Sequence, residues 1–151
     1  MNELTHLGKV SPIQDDPDKV VLDKIPNPNP HLTYCCRFVA PEMSSLCPQT
    51  GQPDFATLII DYSPRGYLLE SKALKLYLFA FRNHGSFHED VTVSIGKRIY
   101  DAINPRWLRI AGFWNGRGGI AINVVWEEGT LPENVHPLSI DNIKLYNNGH
   151  Y

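Results

Sequence analysis

The sequence lacks a long hydrophobic run, and this is the first constraint on what the protein can be. No stretch of the 151 residues approaches the roughly 18 consecutive apolar residues that a membrane-spanning helix needs. The opening residues 1–18 are polar and contain no apolar segment typical of a secretory signal peptide. We therefore expect a cytoplasmic protein that has no membrane partner.

Cysteine is scarce, and positive charge is not in excess. The three cysteines are odd in number, and Cys35 and Cys36 are adjacent, which excludes a disulfide framework, favours a reducing compartment and suggests core or interface positions for this pair. Neither C-x-x-C nor H-E-x-x-H occurs, so we expect no metal site. The 14 Lys and Arg residues against 16 Asp and Glu give a net charge of −2, which excludes a bulk polycationic binder of nucleic acid.

The pattern that is present predicts a single domain over residues 1–151, preceded by a proline-rich arm at residues 1–30. Alternating and β-branched segments predict strands at 31–40, 55–62, 106–114 and 119–126. Helical periodicity predicts one helix over 70–84 and a second that stops at Asn104–Pro105. The order β-β-α-α-β-β indicates an α+β fold, in which a helical pair covers one face of a four-stranded antiparallel sheet. The other face or an edge then needs a partner subunit.

Several local signals refine this prediction. Residues 40–54 read as a long connection, and residues 115–118 read as a hairpin turn. Gly85 is suited to the left-handed residue that follows a helix. Ser86 and Glu89 have the spacing of a capping box at the start of the second helix. The arm either lies over the body of the domain or reaches a neighbouring subunit.

Cys47 is the first candidate for chemistry, because Pro48 and Pro53 hold it on a stiff loop between two strands. A cysteine nucleophile needs a proton acceptor nearby, and Asp54 could fold back to provide one. The alternative is that Cys47 is a small apolar filler in a turn. The sequence alone leaves both interpretations open.

Three further groups could bind a ligand. Lys72, Lys75 and Arg82 form a basic stripe along the first helix, which is either a phosphate-binding surface or a solvated face. No Rossmann or P-loop motif occurs, so a nucleotide cofactor must be held in another way. His88 and Glu89 open the second helix and Glu70 opens the first. The carboxylates of Glu70 and Glu89 could converge on a guanine-like base, or they could simply stabilise the starts of the two helices.

Residues 70–77 (Glu-Ser-Lys-Ala-Leu-Lys-Leu-Tyr), with Phe81 and Arg82 after them, resemble the signature of the QueF-type nitrile reductases, the 7-cyano-7-deazaguanine reductases. The segment from Cys47 to Asp54 resembles the nucleophile loop of that family, and the segment from Phe87 to Glu89 resembles its substrate-binding segment. The resemblance runs in order from about Tyr34 to Asn123. It implies the tunnelling fold (T-fold) in its one-module form, in which a barrel is closed only by oligomerisation.

The resemblance also implies roles for the residues. Cys47 would attack the nitrile carbon to form a thioimide, and Asp54, with His88, would move protons. The deazaguanine would be held by five residues: Leu69, Glu70, Ser71, His88 and Glu89. Two NADPH molecules per turnover would be bound by Lys72, Lys75, Arg82 and Arg117. The resemblance further implies a homo-oligomer, a decamer of two stacked pentamers, that takes part in the biosynthesis of queuosine, a modified tRNA nucleoside.

Other functions compete with this interpretation. An amidine-forming relative would add ammonia to the same thioimide and would also need Cys47 and Asp54, but not the signature at residues 70–82. A zinc-dependent cyclohydrolase would need paired Cys and His ligands, which the sequence does not show. A non-catalytic purine-binding module would bind the base without turnover.

Overall fold

The computed structural model describes residues 4–140, in which six strands and two α-helices occur. The strands are β1 (Lys24–Pro26), β2 (Cys36–Leu46), β3 (Pro53–Ser63), β4 (Tyr67–Leu69), β5 (Trp107–Arg117) and β6 (Ile120–Gly129). The helices are α1 (Ser71–Phe79) and α2 (His88–Ile103), and short 3₁₀ helices occur at Pro17–Lys19 and Ala80–Asn83.

The main sheet confirms the predicted α+β architecture. Its four strands are antiparallel in the order β2-β3-β5-β6, and the short strands β1 and β4 form a separate pair. Ile60 and Ile110 on the sheet, Leu74 on α1, and Ile95 and Ile99 on α2 are almost completely buried in one core. Both helices therefore cover the same face of the sheet, and burial of this apolar layer is the main stabilising term.

The predicted strand boundaries are wrong around Cys47. Strand β2 starts later than predicted and continues to Leu46, so residues 40–54 are not one long connection. A β-bulge between Ala40 and Met43 accommodates Pro41, which has no N–H to donate to a ladder. The connection that carries Cys47 consequently shrinks to residues 47–52. The last hairpin also turns later than predicted, at Gly118–Gly119, because β5 extends to Arg117.

Both predicted helix-end devices near residue 85 are wrong. Helix α1 stops at Phe79 and tightens into the 3₁₀ turn, and Gly85 does not have a positive φ. Gly85 instead forms a bridge to Leu46, so backbone pairing with β2 shapes this end. The N-cap of α2 is Phe87, which provides no side-chain cap, and Ser86 Oγ bonds Asp90 Oδ2 at 2.5 Å. The capping box with Glu89 is therefore absent.

The N-terminal arm lies over the body of the domain, which is one of the two predicted placements. Its strand β1 pairs with β4, and Arg98 of α2 donates to the carbonyl of Pro17 at 2.7 Å. Lys24 Nζ donates to the carbonyl of Ala102 at 3.0 Å, near the C-terminal end of α2. The pair β1–β4 is thereby fixed beside that end of the helix.

The sheet face opposite the helices is partly covered by the chain itself. Asp61 is buried there and accepts from Arg37 Nε at 2.6 Å and from Arg109 Nη2 at 2.7 Å. Both arginines also donate to the carbonyl of Leu138. A charge-paired cluster and the segment after β6 therefore close part of the surface that the sequence assigned to a partner subunit.

Candidate active site

Cys47 is the first residue of a tight loop between β2 and β3. Its N–H donates to the carbonyl of Gln52 at 2.8 Å, and its own carbonyl accepts from Gly51 N–H at 2.9 Å. Gly51 has a φ of 68°, a left-handed conformation that a side chain would disfavour. These bonds close the loop on itself and fix the direction in which the half-exposed sulfur projects.

The loop also changes the acidity of the thiol. The pKa of Cys47 is lowered from 9.0 to about 7, chiefly by a hydrogen bond from the Thr50 hydroxyl. The N–H groups of Thr50 and Gln49 and the guanidinium of Arg117 act in the same direction, whereas desolvation opposes them. Because the thiolate is the nucleophilic form, a sizeable share of Cys47 is ready to react at neutral pH. This favours the nucleophile over the apolar filler.

Asp54 is a buried carboxylate that holds the site together. It is the second residue of β3, and only 5% of it is exposed. Its Oδ1 accepts from Arg117 Nη2 at 2.5 Å, and its Oδ2 lies 3.1 Å from Nε2 of His88. A buried carboxylate needs such partners to offset its desolvation. Asp54 reaches Cys47 through Arg117, which contacts both groups.

Arg117, for which the resemblance implies a cofactor-binding role, lies beside Cys47 in the structure. The arginine is the last residue of β5, where the β5–β6 hairpin extends past the last pair between β3 and β5, Ala56–Trp114. It also donates to the carbonyl of Pro53 at 3.3 Å. In the described chain its guanidinium is thus part of the Cys47–Asp54–His88 cluster, and it is remote in sequence from the basic stripe.

Sequence reasoning missed three residues of this cluster. Thr50 stands three residues after Cys47, as expected for a hydroxyl that turns back on a loop, and this spacing was a usable signal. Trp114 stacks on His88, and Thr92 bonds to both of them. Thr92 lies four residues after His88 on α2, a spacing that places both on one face of the helix, whereas Trp114 meets His88 only after β5 packs against α2.

The residues predicted to hold the base lie at two separate ends of the helical layer. His88 and Glu89 begin α2, whereas Leu69 pairs across the small sheet with Lys24, which reaches the other end of that helix. The 16 residues of α2 span about 24 Å at 1.5 Å per residue. Within one chain, Leu69 is therefore linked to the end of α2 opposite to the end that carries His88 and Glu89.

Glu70 and Glu89 differ in environment. Glu70 is buried and caps α1, since its carboxylate accepts from Lys72 N–H at 2.9 Å and from Ala73 N–H at 2.8 Å. Ser71 Oγ lies 3.5 Å from the same carboxylate. Glu89 is exposed in the first turn of α2. Glu70 therefore stabilises a helix start in the structure, whereas Glu89 is an exposed carboxylate that a ligand can reach.

The basic stripe is divided between two surroundings. Lys72 Nζ donates to the carbonyls of His6 and Lys9 in the arm. Lys75 and Arg82 instead line a groove of about 430 Å³ between α1 and the bulged part of β2. Arg82 also pairs with Asp15 of the arm at 2.7 Å. Two cations beside a groove of ligand size fit a phosphate-bearing molecule.

Two features are absent from residues 4–140. Within that range, no group of three or more His, Cys, Asp or Glu side chains could hold a metal ion. No helix of the same residues has the length and apolar character needed to cross a membrane.

The chain is similar to proteins that share one name. The family model described as QueF-like protein matches residues 53–133. A protein of Parvibaculum lavamentivorans named NADPH-dependent 7-cyano-7-deazaguanine reductase is 53% identical over 135 residues, which cover 89% of this chain and 88% of that protein. Proteins of the same name from Caulobacter vibrioides and Brucella anthropi are 56% and 54% identical, covering 86% and 89% of this chain and 86% of each relative.

A solved structure shares the fold. The crystal structure of the archaeosine synthase QueF-Like in the apo form superposes with a TM-score of 0.59 at 24% sequence identity. The match covers 65% of this chain and 96% of that one. At this identity the likeness supports the architecture alone, and it agrees with the predicted T-fold.

Proposed function

The chain belongs to the QueF-like protein family, and from this premise we propose that it is an NADPH-dependent reductase of 7-cyano-7-deazaguanine. It converts the nitrile to the aminomethyl group through a thioimide on Cys47, a step in the supply of queuosine for tRNA. The observation that carries the proposal is a cysteine whose pKa is lowered to about 7 beside the buried Asp54 and its two partners, His88 and Arg117. The names of the relatives supply the substrate and the cofactor.

The chemistry follows from this arrangement. A nitrile is a poor hydride acceptor, and addition of a thiol converts it into a C=N group that accepts hydride readily. As the C–S bond forms, one π bond of the nitrile breaks and the nitrogen takes up a proton. That proton is the one that the Cys47 thiol releases, and Asp54 and His88, which are hydrogen-bonded to each other, pass it to the nitrogen. Arg117, which contacts both Cys47 and Asp54, keeps the two groups in register.

The residues around the groove between α1 and β2 fit NADPH. Lys75 and Arg82 would hold its phosphates, together with Lys72 once that side chain leaves the arm. Two NADPH molecules per turnover would supply one hydride each, because reduction of a nitrile to an amine takes four electrons. No metal is needed for this chemistry.

We further propose that two copies of the chain complete each substrate site. Glu89 and His88 of one copy and Leu69, Glu70 and Ser71 of another would hold the base, because one chain separates these groups along the length of α2. Within the described residues, the outer edges of β2 and β6 pair with no other strand, so they are available to close a barrel between copies. A decamer of two stacked pentamers is the assembly that we expect sedimentation velocity to show.

The proposed cellular location rests on the need for a free thiol at Cys47. Cys47 works only as a free thiol, and all three cysteines are free in the structure. A cytoplasm that keeps thiols reduced is the compartment in which we propose that the enzyme acts.

The test combines turnover and adduct formation. Wild-type protein should consume NADPH in the presence of 7-cyano-7-deazaguanine, and without NADPH it should gain the mass of the nitrile. The Cys47→Ala variant should do neither. A thioimide that reacts with ammonia but not with NADPH would indicate the amidine-forming function. Binding of the base with no adduct would indicate a purine-binding module, and an adduct on Cys35 or Cys36 would contradict the site.

A further inference from the structure

We propose that Trp114 and Thr92 are positioning residues that aim the imidazole of His88 at Asp54. The proposal rests on the proposed function, in which His88 and Asp54 move the proton. The indole of Trp114 is stacked on the imidazole with ring centroids 4.3 Å apart and planes 10° from parallel. Trp114 is 2% exposed, so the surrounding core fixes the indole, and the indole in turn restricts rotation of the histidine ring.

Thr92 ties the stack to the first turn of α2. Its Oγ1 donates to the carbonyl of His88 at 2.8 Å and accepts from Nε1 of Trp114 at 3.0 Å. The side chain is completely buried, and both of its hydrogen bonds are to this one pair of residues. The backbone of His88 and the ring stacked on it are therefore held by a single hydroxyl.

Strand β5 leaves room for this hydroxyl. A Cβ at Gly112 would lie 2.6 Å from Thr92 Oγ1 and 3.0 Å from Trp114 Nε1. Both contacts are closer than real Cβ atoms comfortably make, so any side chain at Gly112 would push the bonded pair apart. A glycine inside a strand commonly marks such a close approach. The three positions thus form one platform, defined here as Thr92, Gly112 and Trp114.

The platform matters for proton transfer because it fixes the imidazole that is hydrogen-bonded to Asp54. Nε2 of His88 lies 3.1 Å from Oδ2 of Asp54, at the edge of a ring that the platform holds on its face and at its backbone. A displacement of about 1 Å in a reacting geometry can cost up to about 100-fold in rate. Loss of the platform should therefore slow proton transfer without removing any group that touches the nitrile.

The decisive variants are Thr92→Val, which keeps the shape and removes the hydroxyl, and Thr92→Ser, which restores it. Thioimide formation is followed in a single turnover without NADPH. We expect the rate to fall about ten-fold in Thr92→Val and to return within about two-fold of wild type in Thr92→Ser. Nitrile affinity, measured with Cys47→Ala also present, should change less than about three-fold.

The matched control is Ile103→Val, which trims a buried side chain at the opposite end of the same helix. It should lower the melting temperature and leave the thioimide rate unchanged. The proposal is overturned if Thr92→Val keeps the wild-type rate, or if Ile103→Val loses rate in proportion to its melting temperature. Gly112→Ala gives an independent reading, since the crowded pair should reproduce the slow Thr92→Val phenotype.

A second measurement does not depend on activity. The imidazole ¹⁵N resonances of His88 in free protein report the Nε2–Asp54 hydrogen bond, and Asp54→Asn identifies its signature. We expect that signature in wild type and Thr92→Ser, and its loss or broadening in Thr92→Val. If wild type forms no thioimide, the proposed function fails. The spectrum alone then tests whether the platform orients His88. An unchanged His88 signature in Thr92→Val overturns it.

Discussion

The hydroxyl of Thr50 is the largest single cause of the acidity of Cys47, and its removal tests how the loop activates the thiol. The hydroxyl lowers the pKa of Cys47 together with two backbone N–H groups and Arg117, from 9.0 to about 7. In Thr50→Val the other three contributions remain. We therefore expect the pKa of Cys47 to rise toward its ordinary value without reaching it.

The consequence for reactivity has a definite sign. At pH 7, a thiol of pKa about 7 is about half ionised and a thiol of pKa 9.0 is about 1% ionised, so the loss of thiolate cannot exceed about 50-fold. With one of four contributions removed, we expect a decrease of roughly three- to ten-fold. Above the new pKa the order reverses, because a thiolate about one unit more basic reacts about three-fold faster. The two pH profiles should cross.

Alkylation by iodoacetamide as a function of pH, read by mass spectrometry of the Cys47 peptide, measures both effects. Burial raises the pKa of Cys35 to about 11 and also raises that of Cys36, so these two thiols serve as slow internal references. In wild type the reactivity of Cys47 should rise as the pH passes through about 7. Thr50→Ser keeps the hydroxyl and should preserve that midpoint.

Two results would refute this reasoning. A midpoint that remains near 7 in Thr50→Val means that the loop amides and Arg117 hold the thiolate without the hydroxyl. A Thr50→Ser variant that behaves like Thr50→Val means that the substitution disturbs the loop, in which Thr50 Oγ1 also accepts from Gln52 N–H at 3.3 Å.

Three further predictions follow from the site. Glu89→Gln should keep its melting temperature within a few degrees, because the capping box is absent, and its affinity for the nitrile should fall at least about ten-fold. Calorimetry with Cys47→Ala present measures the affinity, and a lower melting temperature with intact binding would assign Glu89 to stabilising the helix. Lys75→Ala and Arg82→Ala should each raise the KM for NADPH roughly ten- to a hundred-fold with nitrile affinity unchanged, and an unchanged KM would return these cations to a solvated face. Glu70→Ala should lower the free energy of unfolding by about 0.5–2 kcal/mol in urea titration, because it removes the cap of α1, and full stability would contradict the capping geometry.

The helices and the sheet were predictable because their signals are local. The apolar periodicity from Val91 to Ile103 identified α2, and Asn104, in the left-handed conformation, ends it as the sequence indicated. Strand β2 was less accessible. Pro41 and the serines before Leu46 are typical of a connection, and only pairing with β3, with a bulge that absorbs the proline, keeps them in the sheet.

The candidate site likewise contains residues that could be predicted from the sequence and residues that could not. Cys47 and Asp54 belong to one continuous motif and could be selected from the sequence. The contacts of Arg117 could not be predicted from the sequence, because they depend on how far β5 extends past β3 before the Gly118–Gly119 turn. The stack between His88 and Trp114 requires packing of a strand on a helix, which no local spacing encodes.

The length of α2 between the two groups proposed to hold the base has a consequence for mixed populations of subunits. Sites that draw on two copies can be repaired by exchange, although neither parent works alone. A Ser71→Ala protein and a His88→Ala protein, dissociated together and reassembled in equal amounts, would pair at random. About a quarter of the sites would then receive both intact contributions. Two dead preparations would thus yield a partly active one, and a cell that carried both alleles would keep the activity that each allele alone had lost.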